Sequence, residues 1–226
     1  MVPKQRIEDQ QQIQIKLAQY IMHDIHYIVN KMQYVHHLLA IRCAPLHFST
    51  APMSNAQPQL LFRSAVPGDA QRCFQIESTA YEGDEAATLE KITTRIAQYP
   101  EGFQIMEVDG QIAGFINSGC AHTVVMSDEE FKELIGHDPL ARNVVIMSVV
   151  LDPLYQGKGY SHLMMKRFVE DMTKRQKESI HLMCKERHVG LYERMGYEYV
   201  KPSPSDHGGM SWHEMIMLLP AAAQKG

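Results

Sequence analysis

The feature that most constrains the fold is an apolar run that leads through two glycines into a helical pattern. Residues 143–152, NVVIMSVVLD, are almost continuously apolar, which is typical of a strand covered on both faces. Gly157 and Gly159 follow, with Lys158 between them, and residues 162–175 have helical periodicity. Because glycine bares the backbone and a helix start offers N–H groups, this join predicts an anion-binding loop.

Two nucleotide-binding motifs do not fit this loop. A P-loop, GxxxxGK[ST], would need a glycine at Asp152 and a Ser or Thr at Gly159. The dinucleotide fingerprint GxGxxG would need its last glycine at His162. A simple strand–helix turn and a small-anion site remain as alternatives, and Gln156 and Lys158 favour the anion.

Around the loop the chain alternates between strand-like and helix-like segments. Strands are predicted at residues 60–66, 143–152, 179–184, 197–200 and 211–219. Helices are predicted at residues 70–81, 87–99, 126–135, 162–175 and 189–196. The pattern indicates an α/β domain in which a mixed sheet is flanked by helices, in three layers.

Three local signals refine this outline. The Asp109-Gly110 pair is a two-residue turn signal and predicts a hairpin over residues 103–120. Asp69 is predicted to cap the first helix, and Ser127 to cap the acidic helix 126–135.

The first 58 residues differ from the rest and are predicted to form an amphipathic helix and a linker. Residues 15–41 place apolar side chains at helical spacing, and their interspersed polar residues are unlike a membrane span. The domain is predicted at 59–220, followed by a tail at 221–226. Met53 leaves an alternative translation start open.

Composition excludes several classes of protein. The formal net charge of −4 offers no basic stripe for nucleic acid. Four scattered cysteines without a CxxC pair predict reduced thiols in a cytoplasmic protein. His213-Glu214 begins like the zinc motif HExxH, but Met217 takes the place of its second histidine. We therefore expect neither a metal, a nucleic-acid partner nor a membrane partner, and the oligomeric state is left open.

The glycine loop also carries a family resemblance. Residues 156–161, QGKGYS, resemble the Q/R-x-x-G-x-G/A motif of the GNAT superfamily of acetyl-CoA-dependent N-acetyltransferases, with Ser161, which is also small, in place of the final Gly or Ala. The resemblance implies that amides of this loop hold the CoA pyrophosphate. The implied cofactor-binding residues are Val149, Val150, Leu151, Gln156, Gly157, Lys158, Gly159, Tyr160, Ser161 and His162.

A second set of residues resembles one branch of that superfamily. The pattern PxDAxxxFxIE over residues 67–77, together with SWHEM at residues 211–215, resembles the arylalkylamine N-acetyltransferases. Vertebrate members place two histidines where this chain has Asn143 and Val145, so the non-vertebrate type is the one implied. The likeness covers roughly residues 60–219 and leaves the N-terminal segment without a counterpart.

The resemblance implies roles for further side chains. Tyr192 stands at the family's catalytic tyrosine and is the expected general acid, with packing of its ring as the alternative. Glu85 is the expected general base, acting directly or through a water. Alternatively, Asp84 caps the second helix and Glu85 lies in its first turn. Tyr81, Asp84, Phe115 and Met147 are the expected acceptor-binding residues, although Tyr81 and Phe115 could instead belong to the core.

The expected function is direct acetyl transfer from acetyl-CoA to a primary amine, with a small arylalkylamine as the expected acceptor. Three alternatives remain: an acetyltransferase for polyamines, one for protein N-termini, and a CoA-binding regulatory module without turnover. An acetyl-enzyme route through Cys184 is not favoured, because its neighbours in sequence offer nothing to activate a thiol.

Overall fold

The computed structural model describes residues 57–81, 86–205 and 211–220. The predicted N-terminal helix and most of its linker, and the tail, lie outside the described residues. The strands are β1 (Leu60–Ser64), β2 (Phe103–Val108), β3 (Gln111–Ala121), β4 (Asn143–Leu151), β5 (Ser179–Lys185), β6 (Glu198–Pro202) and β7 (Trp212–Leu218). The α-helices are α1 (Ala70–Ala80), α2 (Leu89–Gln98), α3 (Tyr160–Lys174) and α4 (Val189–Arg194).

The described strands form one seven-stranded mixed sheet in the order β1-β2-β3-β4-β5-β7-β6. Neighbouring strands are antiparallel except β4 and β5, which are parallel and are connected through α3. A parallel pair needs such a crossover, and the apolar sequence of β4 suits a central strand. The predicted mixed α/β sheet flanked by helices is confirmed.

The hairpin between β2 and β3 follows from its turn residues. Asp109 and Gly110 adopt φ angles of 52° and 76°, the left-handed region that a two-residue type I′ turn requires. Asp109 also accepts a hydrogen bond of 2.9 Å from the amide of Gln59, which ties the turn to the start of the domain.

Apolar side chains on the two faces of the sheet form separate clusters. On one face, Cys73 and Ile76 of α1 and Ile92 of α2 pack against strand residues that include Phe115. On the other face α3 packs through its methionines and Phe168, which is 1% exposed. The sheet is therefore the middle of three layers, as the alternating sequence pattern predicts.

The acidic segment 126–135 does not form the α-helix that the sequence predicts. Only a 3₁₀ turn forms, from Glu130 to Glu133, and Leu134 then adopts a left-handed φ of 61°. The amides of Glu130 and Phe131 donate to the carboxylate of Asp128, so this residue caps the turn. Ser127, one residue earlier, was the predicted cap.

Asp69 stands at the N-cap position of α1, as predicted, but its side chain does not make the predicted capping hydrogen bond. Its carboxylate accepts from the Val66 amide at 2.8 Å and from the Arg63 guanidinium, so it braces the turn before α1. Burial alone would raise the pKa of Asp69, but these hydrogen bonds and the charge of Arg63 hold it below its ordinary value.

Candidate active site

A wedge-shaped gap opens in the centre of the sheet where β4 and β5 part. The two strands pair only at Asn143–Val145 with Ser179–His181. Both continue beyond these pairs, so one edge of β4 from Ile146 onward has no strand partner in the described sheet. Such an edge offers backbone groups to an extended ligand, as in β-strand addition.

A β-bulge lies at the point of parting. Asn117 of β3 pairs with Ser148, whereas Ser118 pairs with Ile146, so Met147 is the extra residue in β4. Bulges bend a strand and turn its side chains, and they are frequent beside active sites. The bulge presents Met147 to a cavity in the wedge.

The glycine loop lies between β4 and α3. Gly157 and Gly159 have φ angles of 74° and 78°, and a Cβ at either position would meet nothing within 4 Å. No hydrogen bond to the described residues is made by the backbone amides from Gly157 to His162. A run of unpaired N–H groups at a helix start is a site for an anion.

Two side chains hold the start of this loop. Asp152 is 4% exposed, forms an ion pair with Arg72 of α1, and accepts from the amide of Leu154 at 2.9 Å. Gln156 donates to the carbonyl of Leu151 at 3.1 Å. Lys158 Nζ lies 5.5 Å from the centre of the Tyr155 ring, a side chain just before the loop.

The cavity in the wedge has a volume of about 140 Å³. Four residues predicted from the sequence line it, namely Tyr81, Met147, Val149 and Tyr192. The Tyr81 hydroxyl donates to the carbonyl of Val149 at 3.2 Å, which links the end of α1 to the free edge of β4.

Other predicted residues lie away from the cavity. Phe115 is fully buried and stacks on Phe103, with ring centroids 5.1 Å apart, so the core alternative is correct and the acceptor-binding prediction is wrong. Val150 keeps its backbone on the β4 edge but buries its side chain in the same cluster. Asp84 and Glu85 lie outside the described residues. The alternative that Asp84 caps α2 is wrong, because Thr88 is the cap.

The hydroxyl of Tyr192 is available to a ligand in the cavity. It makes no hydrogen bond to the described residues, and its ring packs edge-on against Tyr197 at 5.6 Å. Burial, with a smaller contribution from Cys184, raises the pKa of Tyr192. The hydroxyl therefore keeps its proton at neutral pH, as a proton donor must.

Glu77 was not predicted as a site residue, although it ends the PxDAxxxFxIE pattern. It is 1% exposed and lines the cavity. Its Oε1 accepts from the amide of Ala87 at 3.1 Å and from Ser148 Oγ at 2.9 Å, whereas Oε2 has no partner. Burial raises the pKa of Glu77 and outweighs those two hydrogen bonds and the charge of Arg95, which makes its carboxylate a stronger base.

Arg95 is a second cavity residue that was not predicted. It is 5% exposed, and its Nε and Nη2 donate to the carbonyl of Lys132 at 3.1 and 2.8 Å. Burial lowers the pKa of Arg95, and the charges of Glu77 and Glu133 oppose that shift. The helical spacing of this arginine in sequence gives no sign that it faces inward.

The described cysteines do not form a nucleophilic site. Cys73, Cys120 and Cys184 are all buried and reduced. Burial raises the pKa of Cys184 to about 11, so it is a protonated thiol at neutral pH. The described residues contain no cluster suited to a metal ion. Among the helices they form, none has the length and apolarity to cross a membrane.

Comparison with known proteins gives the class of this fold and site. Residues 77–219, more than half of the chain, match the family model described as an acetyltransferase (GNAT) domain. The chain belongs to the GNAT acetyltransferase family, a family of acyltransferases.

Solved structures share the fold at low sequence identity. The GphF GNAT-like decarboxylase in complex with isobutyryl-CoA is 14% identical over 70% of this chain and 99% of its own, with a TM-score of 0.63. The yncA protein of Salmonella typhimurium, with its cofactor acetyl-CoA, is 16% identical over 74% and 98%, with a TM-score of 0.53. A chimera of spermidine N-acetyltransferase SpeG from Vibrio cholerae and hSSAT is 16% identical over 71% and 96%, also at 0.53.

These comparisons define the superfamily and not the branch. At such identities the structures indicate the fold alone. The resemblance to arylalkylamine acetyltransferases therefore stays a prediction.

Proposed function

We propose that this protein transfers the acetyl group of acetyl-CoA directly to a primary amine, with an arylalkylamine as the acceptor class that the sequence predicts. The observation that carries the proposal is that a tyrosine and a buried carboxylate line one cavity at the free edge of β4, where they suit the roles of proton donor and base. Tyr192 and Glu77 both line that cavity. Two acyl-CoA-bound relatives of the same fold, one with isobutyryl-CoA and one with acetyl-CoA, support CoA as the carrier.

Acetyl-CoA would lie along the wedge. Its diphosphate accepts hydrogen bonds from the amides between Gly157 and His162, with Lys158 adding a positive charge. Its pantetheine extends the sheet along the free edge from Val149 to Leu151. The thioester then lies near the bulge at Met147, where a β4 amide can donate to the developing oxyanion.

The reaction proceeds by proton transfer around a single displacement. A carboxylate removes one proton from the ammonium group of the acceptor, and the neutral amine attacks the thioester carbon. The C–N bond forms and the C–S bond breaks. The thiolate takes a proton from Tyr192, and the acetylated nitrogen loses its second proton, which restores the tyrosine through solvent. The products are the acetamide, CoA thiol and one net proton.

Two carboxylates are candidates for the base. The sequence favours Glu85, in the segment between α1 and α2. The structure adds Glu77, whose free Oε2 and raised pKa suit a general base. Mutation can separate the two assignments, because Glu77→Gln removes one carboxylate and Glu85→Gln removes the other.

A thiol-release assay with acetyl-CoA tests the proposal. The acceptors are tryptamine, phenylethylamine, spermidine and a peptide with a free N-terminus, and mass spectrometry identifies the acetylated product. We expect turnover with at least one arylalkylamine. Turnover with spermidine or the peptide alone would correct the acceptor class. Binding of acetyl-CoA without release of thiol in any mixture would contradict the proposal and favour a regulatory CoA-binding module.

A further inference from the structure

Two opposite charges line the acceptor cavity without meeting each other. Glu77 at the end of α1 and Arg95 of α2 are both more than nine-tenths buried, at 1% and 5% exposure. No hydrogen bond or ion pair joins them. Each has hydrogen bonds to described residues and the two charges attract each other at a distance, but neither forms an ion pair with a described residue. The pair is therefore suited to a ligand that brings an opposite charge to each.

The guanidinium of Arg95 has hydrogen-bonding capacity to spare. Its Nε and one Nη2 proton are used on the carbonyl of Lys132, out of the five N–H donors that an arginine carries. Its Nη1 group donates to no described residue, and no carboxylate of the described chain lies within ion-pair distance of it. A planar fork of this kind binds carboxylates in preference to neutral groups.

The other charges of the cavity wall already have partners. Lys91 forms an ion pair of 2.5 Å with Glu133, and Lys132 forms one of 2.8 Å with Glu129. Asp128 accepts hydrogen bonds from the backbone at the 3₁₀ turn. Among the described residues of the wall, Glu77 Oε2 has no hydrogen-bond partner, and the Nη1 group of Arg95 has neither a hydrogen bond nor an ion pair.

We propose that the acceptor is a zwitterion: a primary amine that also carries a carboxylate, of the kind found in free amino acids. Its ammonium group contacts Glu77, and its carboxylate contacts Arg95. The apolar wall at Met126 and Phe131 and the Trp212 ring receive the side chain. This inference rests on the proposed function and narrows its acceptor class from primary amines to those that also carry a carboxylate.

Matched acceptors test the inference, because members of each pair differ only by the carboxylate. The pairs are L-phenylalanine with phenylethylamine, L-tryptophan with tryptamine, and L-ornithine with putrescine. For the full chain with acetyl-CoA, we expect kcat/KM to be at least about 10-fold higher for the carboxylated member of the preferred pair, since one charged hydrogen bond contributes about a factor of 10 to 100.

Two variants separate recognition from stability. Arg95→Gln should bring the two kcat/KM values of the pair to within about 3-fold, through a higher KM for the amino acid and no change for the amine. Lys91→Gln is the matched control. Lys91 is a cation on the same cavity wall, but its charge is already paired with Glu133. This substitution should leave the preference intact. Thermal melting checks that both variants fold.

The opposing outcomes are distinct. A preference for the decarboxylated member in every pair, or an equal loss for both members in a folded Arg95→Gln protein, overturns the inference and leaves amine acetylation standing. A melting-temperature rise with the amino acid is measured in parallel, without acetyl-CoA. If no acceptor is acetylated but this rise occurs and is lost in Arg95→Gln, the transferase proposal fails and the zwitterion site stands. If there is no turnover and the melting temperature does not rise, both the transferase proposal and the zwitterion site are contradicted.

Discussion

Ser148 Oγ donates a hydrogen bond of 2.9 Å to Glu77 Oε1, which joins the strand residue beside the bulge to the end of α1. This bond orients the carboxylate and leaves Oε2 as its free atom. Because the hydrogen bond fixes Glu77 relative to the bulge in β4, Glu77 is a candidate for the general base.

Replacing Glu77 should separate the two candidate bases. Glu77→Gln keeps an acceptor for the Ala87 amide but cannot take up a proton, so we expect kcat to fall by roughly 100-fold at pH 7. Glu85→Gln should then change kcat by less than about 3-fold. Steady-state kinetics at saturating acetyl-CoA measure both. The reverse order would make Glu85 the base and leave Glu77 a structural role.

The raised pKa of Glu77 predicts how stability depends on pH. Above its ordinary value of 4.5 the unfolded chain releases the proton while the native protein still holds it. The native state therefore binds more protons in this range, and its free energy of unfolding falls as the pH rises until the folded pKa is passed. Glu77→Gln should gain stability relative to the parent between pH 5 and pH 8. Urea titrations at pH 5 and pH 8 measure the free energy of unfolding of both proteins. The same difference between the two proteins at both pH values would contradict the prediction.

Gly159→Glu should weaken acetyl-CoA binding by about 100-fold or more, because a carboxylate beside the diphosphate is repelled. Gly136→Glu is the control, since its φ of 78° equals that of Gly159 and its surroundings are equally open. The backbone strain is thus alike, but Gly136 precedes the start of β4, at the opposite end of that strand from the loop. Calorimetric titration measures both affinities. Equal affinities in the two folded variants would remove the glycine loop from the binding site.

Tyr192→Phe should lower kcat by roughly 100-fold and leave the acetyl-CoA affinity unchanged, because only the proton donor is lost. Tyr197→Phe alters the neighbouring ring at 5.6 Å and should have little effect on kcat. Because burial raises the pKa of Tyr192, any loss of kcat through its ionisation should begin only above the ordinary value of 10.0. Full turnover in Tyr192→Phe at saturating substrates would exclude it from proton transfer.

Phe115 and Met147 should differ in what their loss affects. Phe115→Ala removes a fully buried ring from the stack with Phe103 and should cost about 3–5 kcal/mol of unfolding free energy. Met147→Ala opens the cavity wall and should mainly raise the KM for the acceptor. Chemical denaturation and kinetics distinguish these effects. A change in KM without loss of stability in Phe115→Ala would return that residue to the acceptor site.

Local sequence signals predict the local structure well here. The Asp109-Gly110 turn and the apolar strand β4 are correct, because turn chemistry and burial leave few alternatives. The acidic segment 126–135 has a helical pattern, but Asp128 satisfies the amides of a single turn and Leu134 ends it in the left-handed region. Tertiary packing overrides helix propensity in such short segments.

The site divides in a similar way. The glycine loop and Tyr192 follow from a motif, because close backbone approach and a fixed position in the fold constrain residue type. The sequence does not predict Glu77 and Arg95 as site residues, since a charged residue in a helix is expected to face solvent. Their placement on the wall of one cavity depends on how α1 and α2 pack against the bulged strand, which no short-range pattern encodes.

The short contact between β4 and β5 has a mechanical consequence. Within the described sheet, three residue pairs near Asn143 and Ser179 are the only backbone pairing between its two parts, β1 to β4 and β5 to β7. Helix α3 packs against both parts of the sheet, but beyond these pairs no described strand pairs across the wedge. In the proposed function acetyl-CoA fills the wedge and bridges the two parts of the sheet, so its departure after each turnover would remove a structural support together with a reactant.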